Sequence, residues 1–180
     1  MTEKGKIIWR ELFEWVQAIA LALIVATLIR MFVFTLVSVE GISMEPTLQH
    51  RDRLFVHKFL YTPQNGDIVV FDPTGGRSTK YIKRVIATEG QTVYINFANN
   101  SVYVDNELIY EPYILESMNI LRDNQPSFGP MLVPEGTSFV LGDNRNNSHD
   151  SRAIGAVDNR RIEGRAVLRF FPPRTFGTLR

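Results

Sequence analysis

Ala18 to Ile29 is the densest apolar run in the chain; Arg30 breaks it, and Met31 to Val37 resumes it. Read as a helix from Trp15 to Val37, the stretch would measure roughly 34 Å, enough to cross a hydrocarbon core of about 30 Å. Upstream, Ile8, Leu12, Trp15, Val16 and Ile19 share one helical face and Arg10, Glu11 and Glu14 lie off it, which predicts one helix entering the bilayer obliquely. An arginine deep in a bilayer is expensive, so Arg30 belongs near the far interface, where its guanidinium can reach the headgroups. The expected span is therefore about Trp15 to Ile29, with Met31 to Val37 lying in the interface. Lys4, Lys6 and Arg10 precede the run, which by the positive-inside rule leaves the amino terminus in the cytoplasm and the rest outside. A cleaved secretory signal and a buried core helix are the rival readings; for the signal, Leu36-Val37-Ser38-Val39-Glu40 is a poor processing site.

Beyond the anchor the chain changes character. Arg53 to Phe59, Asp67 to Phe71, Tyr81 to Thr88, Thr92 to Asn96, Ser101 to Val104, Ser138 to Leu141 and Ala166 to Phe171 are short runs rich in β-branched and aromatic residues, and each is expected to be a strand. Turn signals separate them, among them Gln64-Asn65-Gly66-Asp67, Ala98-Asn99-Asn100 and Pro134-Glu135-Gly136. The fold class is mainly β: a single domain at 38–180 behind an anchor at 1–37, with an irregular polar lobe at about 105–133. Lys and Arg total 20 against 19 Asp and Glu, so no charge excess points to nucleic acid as a partner. Cysteine is absent, which excludes disulfides, thiolate zinc sites and a cysteine nucleophile. His50, His57 and His149 lack metal-site spacing, so a zinc enzyme is not expected.

Three segments hold chemistry. Val39-Glu40-Gly41-Ile42-Ser43-Met44-Glu45-Pro46-Thr47 places a serine between a glycine and a proline-fixed turn, a setting that suits an exposed nucleophile and equally an ordinary surface turn. Tyr81-Ile82-Lys83-Arg84-Val85-Ile86 carries two adjacent cations in an apolar strand. Side chains alternate along a strand, so the two face opposite sides, and one pointing inward would have its charged form disfavoured. The alternative is a solvated lysine at a sheet edge. Gly142 to Arg152 is almost free of apolar residues and dense in fixed donors and acceptors, which favours a hydrogen-bonded polar knot over a loose loop.

Ser43-Met44-x-Pro46-Thr47, Gly66-Asp67-Ile68-Val69-Val70-Phe71, Tyr81-Ile82-Lys83-Arg84-Val85 and Gly142 to Arg152 follow one another after a single anchor. In that order they resemble the successive boxes of bacterial type I signal peptidases (leader peptidases). Ile162-x-Gly164-Arg165-Ala166 and Phe170-Phe171-Pro172 extend the resemblance over most of the chain beyond the anchor.

The resemblance implies a membrane-bound serine endopeptidase that removes signal peptides from exported preproteins. Ser43 would be the nucleophile and Lys83 the base of a serine–lysine dyad. Ser148 would hydrogen-bond and orient the lysine, and the pairs Asp143 with Arg84 and Asp150 with Arg152 would brace the site. Where some members carry a serine two places before the nucleophile this chain has Gly41, so backbone amides, notably that of Ser43, are expected to hold the oxyanion. A second departure is Ala87-Thr88-Glu89-Gly90-Gln91, where the family usually reads glycine–x–proline–glycine–aspartate. Val37, Val39 and Ile82 are expected to line shallow pockets for small residues before the cut.

No metal or organic cofactor is expected. The partners implied are signal-peptide-bearing preproteins, membrane lipid and protein export machinery, at the cell membrane or an internal photosynthetic one. Penicillin-binding-type chemistry needs Ser-x-x-Lys, and the third residue after Ser43 is Pro46. A self-cleaving repressor would carry a DNA-binding module where this chain has an anchor. A membrane-tethered β domain without activity is the remaining alternative, and the joint presence of Ser43, Lys83 and Ser148 speaks against it.

Overall fold

A computed structural model describes residues 3–74, 76, 79–114, 116–118 and 126–179. The first element, α1 (Glu3–Phe32), runs continuously through Arg30, which sits in its last turn where a cation suits the helix dipole. Within it, Trp9–Phe32 is long and apolar enough to span a membrane and none of it is buried against the rest of the chain.

The chain then turns at once into β1 (Phe34–Ser38). The segment expected to lie as one interfacial stretch is thus divided: Met31 and Phe32 finish the helix, and Phe34 to Ser38 is a strand. Its residues alternate, with Phe34, Leu36 and Ser38 exposed and Thr35 and Val37 half-buried. That period of two is a strand pattern, and the sequence offered only five residues of it against a preceding helix. Lys58 ties the junction down, its N–H donating to the Val33 carbonyl at 2.9 Å and its Nζ to the Met31 carbonyl at 3.3 Å.

The other strands are β2 (Arg53–His57), β3 (Ile68–Phe71), β4 (Tyr81–Thr88), β5 (Thr92–Asn96), β6 (Ser101–Val104), β7 (Glu107–Leu108), β8 (Ser127–Leu132) and β9 (Thr137–Leu141). A short helix α2 (Ser151–Ile154) precedes β10 (Val157–Asp158), β11 (Ile162–Phe171) and β12 (Gly177–Thr178). They form two antiparallel sheets. The larger has the order β1-β2-β11-β3-β4-β9-β10 with β12 beside β11, and the smaller the order β7-β6-β5-β8.

Buried side chains leave both faces of the larger sheet. From β3, Ile68 and Val70 join Val39, Met44, Leu48, Leu54, Val56 and Ile82 in one cluster. Val69 and Phe71 point the other way, to Val85, Val140 and Val157. A third cluster fills the space under the smaller sheet, where Val93, Ile95 and Val102 meet Ile86, Phe139 and Leu141. Six consecutive residues of β4, Ile82 to Ala87, are buried, as expected for a strand covered on both sides.

β8 falls inside the stretch read from sequence as irregular. Its Gly129-Pro130 looks like a breaker, but β8 is the edge of its sheet, where a missing N–H does no harm. Gly129 has φ +84, and a Cβ there would strike the Val93 carbonyl oxygen. The register shift opposite, between Val93 and Ile95, accommodates this close approach.

Candidate active site

Ser43 sits in a loop that the core holds on both sides. Val39 before it and Met44 and Leu48 after it are buried in one cluster, while Ile42 is left exposed. Gly41 takes φ +88, a left-handed value that favours glycine, and its N–H donates to His50 Nδ1 at 3.2 Å. The Gly41 amide is therefore occupied. Asn144 clamps the next peptides, its Nδ2 donating to the Ile42 carbonyl at 3.2 Å and its N–H to the Ser43 carbonyl at 3.1 Å.

Lys83 and Arg84 are both buried, at 4% and 2% exposure, on opposite faces of β4. Neither is the solvated edge residue that the run of charges also allowed. Lys83 Nζ lies 2.7 Å from Ser43 Oγ, donates to the Ile82 carbonyl at 3.0 Å, and stands 5.2 Å from the centre of the Tyr81 ring. Arg84 forms a two-pronged pair with Asp143, Nε to Oδ1 at 2.9 Å and Nη2 to Oδ2 at 2.8 Å. Its guanidinium also lies 3.9 Å over the ring of Tyr113. Arg152 pairs with Asp150 through Nε and Nη2, both at 2.9 Å.

Each neighbouring carboxylate thus has an arginine, and among the described residues no carboxylate pairs with Lys83. Burial pushes its ammonium down from the ordinary 10.5 to about 8, against Asp150 and then Asp143, which act to raise it. For Asp150, burial works to raise the carboxyl, but its bonds to Arg152 and to the Gly142 N–H prevail and hold it below its ordinary value.

The hydrogen bond from Ser148 to Lys83 implied by the resemblance is not formed in this structure. Ser148 Oγ is buried beside the Asp150 carboxylate, which it helps to hold below its ordinary value, but it has no partner in good hydrogen-bond geometry among the described residues. It lies against Gly142, where a Cβ would strike both Ser148 Oγ and the Ser43 carbonyl oxygen. The lysine's donors go to Ser43 and to the Ile82 carbonyl, an acceptor on its own strand.

A cavity of about 710 Å³ opens beside the Ser43–Lys83 contact, walled by consecutive residues Leu36 to Met44 on one side and Thr79 to Lys83 on the other. Val37, Val39 and Ile82 all line it, as do Asn147 and His149, whose ring lies 6.2 Å from that of Tyr81.

Some contributors escaped the sequence reading. Thr47 Oγ1 donates to Asp143 Oδ2 at 2.5 Å, and Glu111 pairs with buried Arg145. Thr47 stood inside the serine motif. Glu111 and Tyr113 had no such signal, because the polar stretch around them has no periodicity.

Residues 12–171 match the model of the family described as "Signal peptidase, peptidase S26". Signal peptidase I of Bacillus licheniformis is 40% identical over 169 residues, covering 89% of each chain. The probable signal peptidase I-1 of Synechocystis is 41% identical over 181 residues, covering 95% of this chain and 88% of that one. A crystal structure of a signal peptidase I from Enterococcus faecalis is 28% identical, at a TM-score of 0.43, over 58% of this chain and 97% of that one. Ordered motifs, family match and long relatives agree, and this chain belongs to the signal peptidase family, peptidase S26.

Proposed function

We propose that this signal peptidase cleaves signal peptides from preproteins with Ser43 as nucleophile and Lys83 as general base. One observation carries the assignment: a buried lysine with no carboxylate partner among the described residues, 2.7 Å from a serine hydroxyl at the mouth of a cavity. With burial holding its ammonium near 8, a fraction on the order of a tenth is neutral amine at pH 7. That amine takes the Ser43 proton and the alkoxide attacks the scissile carbonyl. The same group then serves the leaving amine and the deacylating water.

The oxyanion donor is the Ser43 N–H, since the Gly41 amide is held by His50. The Asn144 bond to the Ile42 carbonyl fixes the plane of the Ile42–Ser43 peptide and so aims the N–H on its other side. Asp143 and Asp150, each held by an arginine, brace the polar loop without holding the lysine in its charged form. Ser148 is a partner for the amine once the lysine turns from Ser43.

Two strand edges flank the cavity. β1 is the last strand of its sheet, and β9 pairs with β4 only from Arg84 onward. An extended substrate can add to these free edges, with Val37, Val39 and Ile82 walling pockets that suit small residues before the cut.

The protein is membrane-associated through α1. The amino terminus lies in the cytoplasm and residues 38–180 outside it, by the cations that precede the span. Exposed Phe34 and Leu36 contact lipid, and the chain works beside the export machinery at the cell membrane or an internal photosynthetic one. The decisive experiment incubates detergent-solubilised protein with a preprotein whose signal ends in Ala-x-Ala, then sequences the product's amino terminus. Cleavage after that site, lost in both Ser43→Ala and Lys83→Ala, supports the reading; retained cleavage in either variant refutes it.

A further inference from the structure

Soon after β7, Glu111 and Tyr113 reach back to the polar loop that follows β9. Arg145 in that loop is wholly enclosed, and the Glu111 carboxylate, nearly as buried, meets its guanidinium with both oxygens, Oε2 at 3.0 Å from Nη1 and Oε1 against Nη2. Tyr113 donates its hydroxyl to Glu111 Oε1 at 2.9 Å and lays its ring on Arg84. A short piece of the lobe therefore touches two buried arginines of the site.

What Arg145 does from that position is specific. Its Nε donates to the Gly142 carbonyl at 3.0 Å, and its own carbonyl accepts from Arg152 Nη2 at 2.6 Å. The guanidinium is folded over the turn that carries Asn144, and Asn144 holds the peptides on both sides of Ser43. Without Glu111, a buried cation would have to find another anion or move toward water, and the turn would move with it. The nearest consequence falls on the Ile42–Ser43 peptide.

We propose that Glu111 is a positioning residue for the cleavage reaction: through its buried pair with Arg145 it fixes the Asn144 turn and so the orientation of the Ser43 peptide. The inference rests on the reading of Ser43 and Lys83 as the reacting pair. Glu111 touches neither of them. Its effect is expected mainly on the bond-breaking step, because Leu36 to Met44 and Thr79 to Lys83 supply most of the cavity wall and only Asn147 and His149 come from the loop that carries Arg145.

The test compares full-length, detergent-solubilised parent, Glu111→Gln, Glu111→Asp and the double variant Glu111→Leu/Arg145→Met in steady-state cleavage of a preprotein. Thermal midpoints and active-site counts with a serine-directed acylating probe are measured alongside. The double variant keeps the fold testable, because replacing both members of a buried pair by apolar residues leaves no orphaned charge. Expected are a kcat lowered on the order of tenfold to a hundredfold in Glu111→Gln and in the double variant, a KM within about twofold of the parent, and partial recovery in Glu111→Asp. The double variant keeps its thermal midpoint. Native kcat in both Glu111→Gln and the double variant overturns the proposal, and so does a kcat that falls only in proportion to the folded fraction. Ser43→Ala and Lys83→Ala in the same assay separate the two layers: if they still cleave, the dyad reading fails, whereas if they are dead and the Glu111 variants are native, only the positioning role fails.

Discussion

Lys83 Nζ meets Ser43 Oγ at 2.7 Å although β2, β11 and β3 stand between β1 and β4 in the sheet. At about 4.8 Å per strand, a flat sheet would hold β1 and β4 roughly 19 Å apart. Ser43 lies in the loop beyond β1, which crosses toward β4: Val39 packs with Ile82 in one buried cluster, and Leu36 to Met44 face Thr79 to Lys83 across the cavity. The contact is therefore made by the loop that follows β1 and not between neighbouring strands of the sheet.

The acid side of the activity profile reports Lys83. Activity should rise with pH through about 8 as the buried ammonium loses its proton. Lys83→Arg should be as inactive as Lys83→Ala, because arginine keeps its proton in a protein. Near-native turnover by Lys83→Arg in a preprotein cleavage assay would remove Lys83 from the role of base.

Stability should respond to the same group. Lys83 titrates near 8 when folded against 10.5 ordinarily, so between those values the unfolded chain binds more protons and stability rises with pH. Below about 8 the burial penalty is fully present, on the order of 3 kcal/mol. Lys83→Met should be inactive yet raise the thermal midpoint at pH 7, and the gain should vanish above about pH 10.5. Midpoints measured across pH 6 to 11 check this.

Asp143→Asn should act in two ways. Side chains of Arg84 and Asp143 are 2% and 0% exposed, and removing one charge of such a pair costs about 3–5 kcal/mol. Asp143 also acts to raise Lys83, so whatever activity remains should show its acid limb below about 8. Denaturant melts and a pH–rate profile read the two effects separately.

Gly142→Ala should cost turnover on the order of a hundredfold, the scale of an ångström of misplacement at a reacting group, because the added methyl strikes both the Ser43 carbonyl oxygen and Ser148 Oγ. Gly155→Ala is the control. Its Cβ would meet nothing within 4 Å, and its backbone, φ 75 and ψ −174, lies in a region essentially confined to glycine, which adds strain of about 1–3 kcal/mol. It should lose stability and keep activity, as steady-state kinetics beside thermal melts will show.

Deleting Met1 to Ile29 should leave a domain that folds, cleaves and still co-sediments with lipid vesicles through Phe34 and Leu36, since none of the span is buried against the domain. Deleting through Ser38 should abolish folding and activity together, because β1 pairs with β2 at five positions and walls the cavity. A first truncation indifferent to vesicles would exclude lipid contact by that strand.

What the sequence determined by itself was local. An apolar run long enough to span a bilayer, period-two strands such as Tyr81 to Thr88 and Thr92 to Asn96, and glycines at turns all follow from interactions within a few residues, so they could be read directly. The ordered motifs around Ser43, Lys83 and Gly142 to Arg152 identified the family for the same reason. The helix end at Phe32 and the start of β1 were not legible, because five alternating residues become a strand only when β2 supplies hydrogen-bond partners. Nor was β8, whose Gly129-Pro130 is harmless only on an edge. The tertiary structure alone decided that both Lys83 and Arg84 are buried, that each nearby carboxylate takes an arginine, and that Glu111 reaches Arg145. Those outcomes depend on which long-range neighbours exclude water from a charge, and no stretch of sequence contains that information.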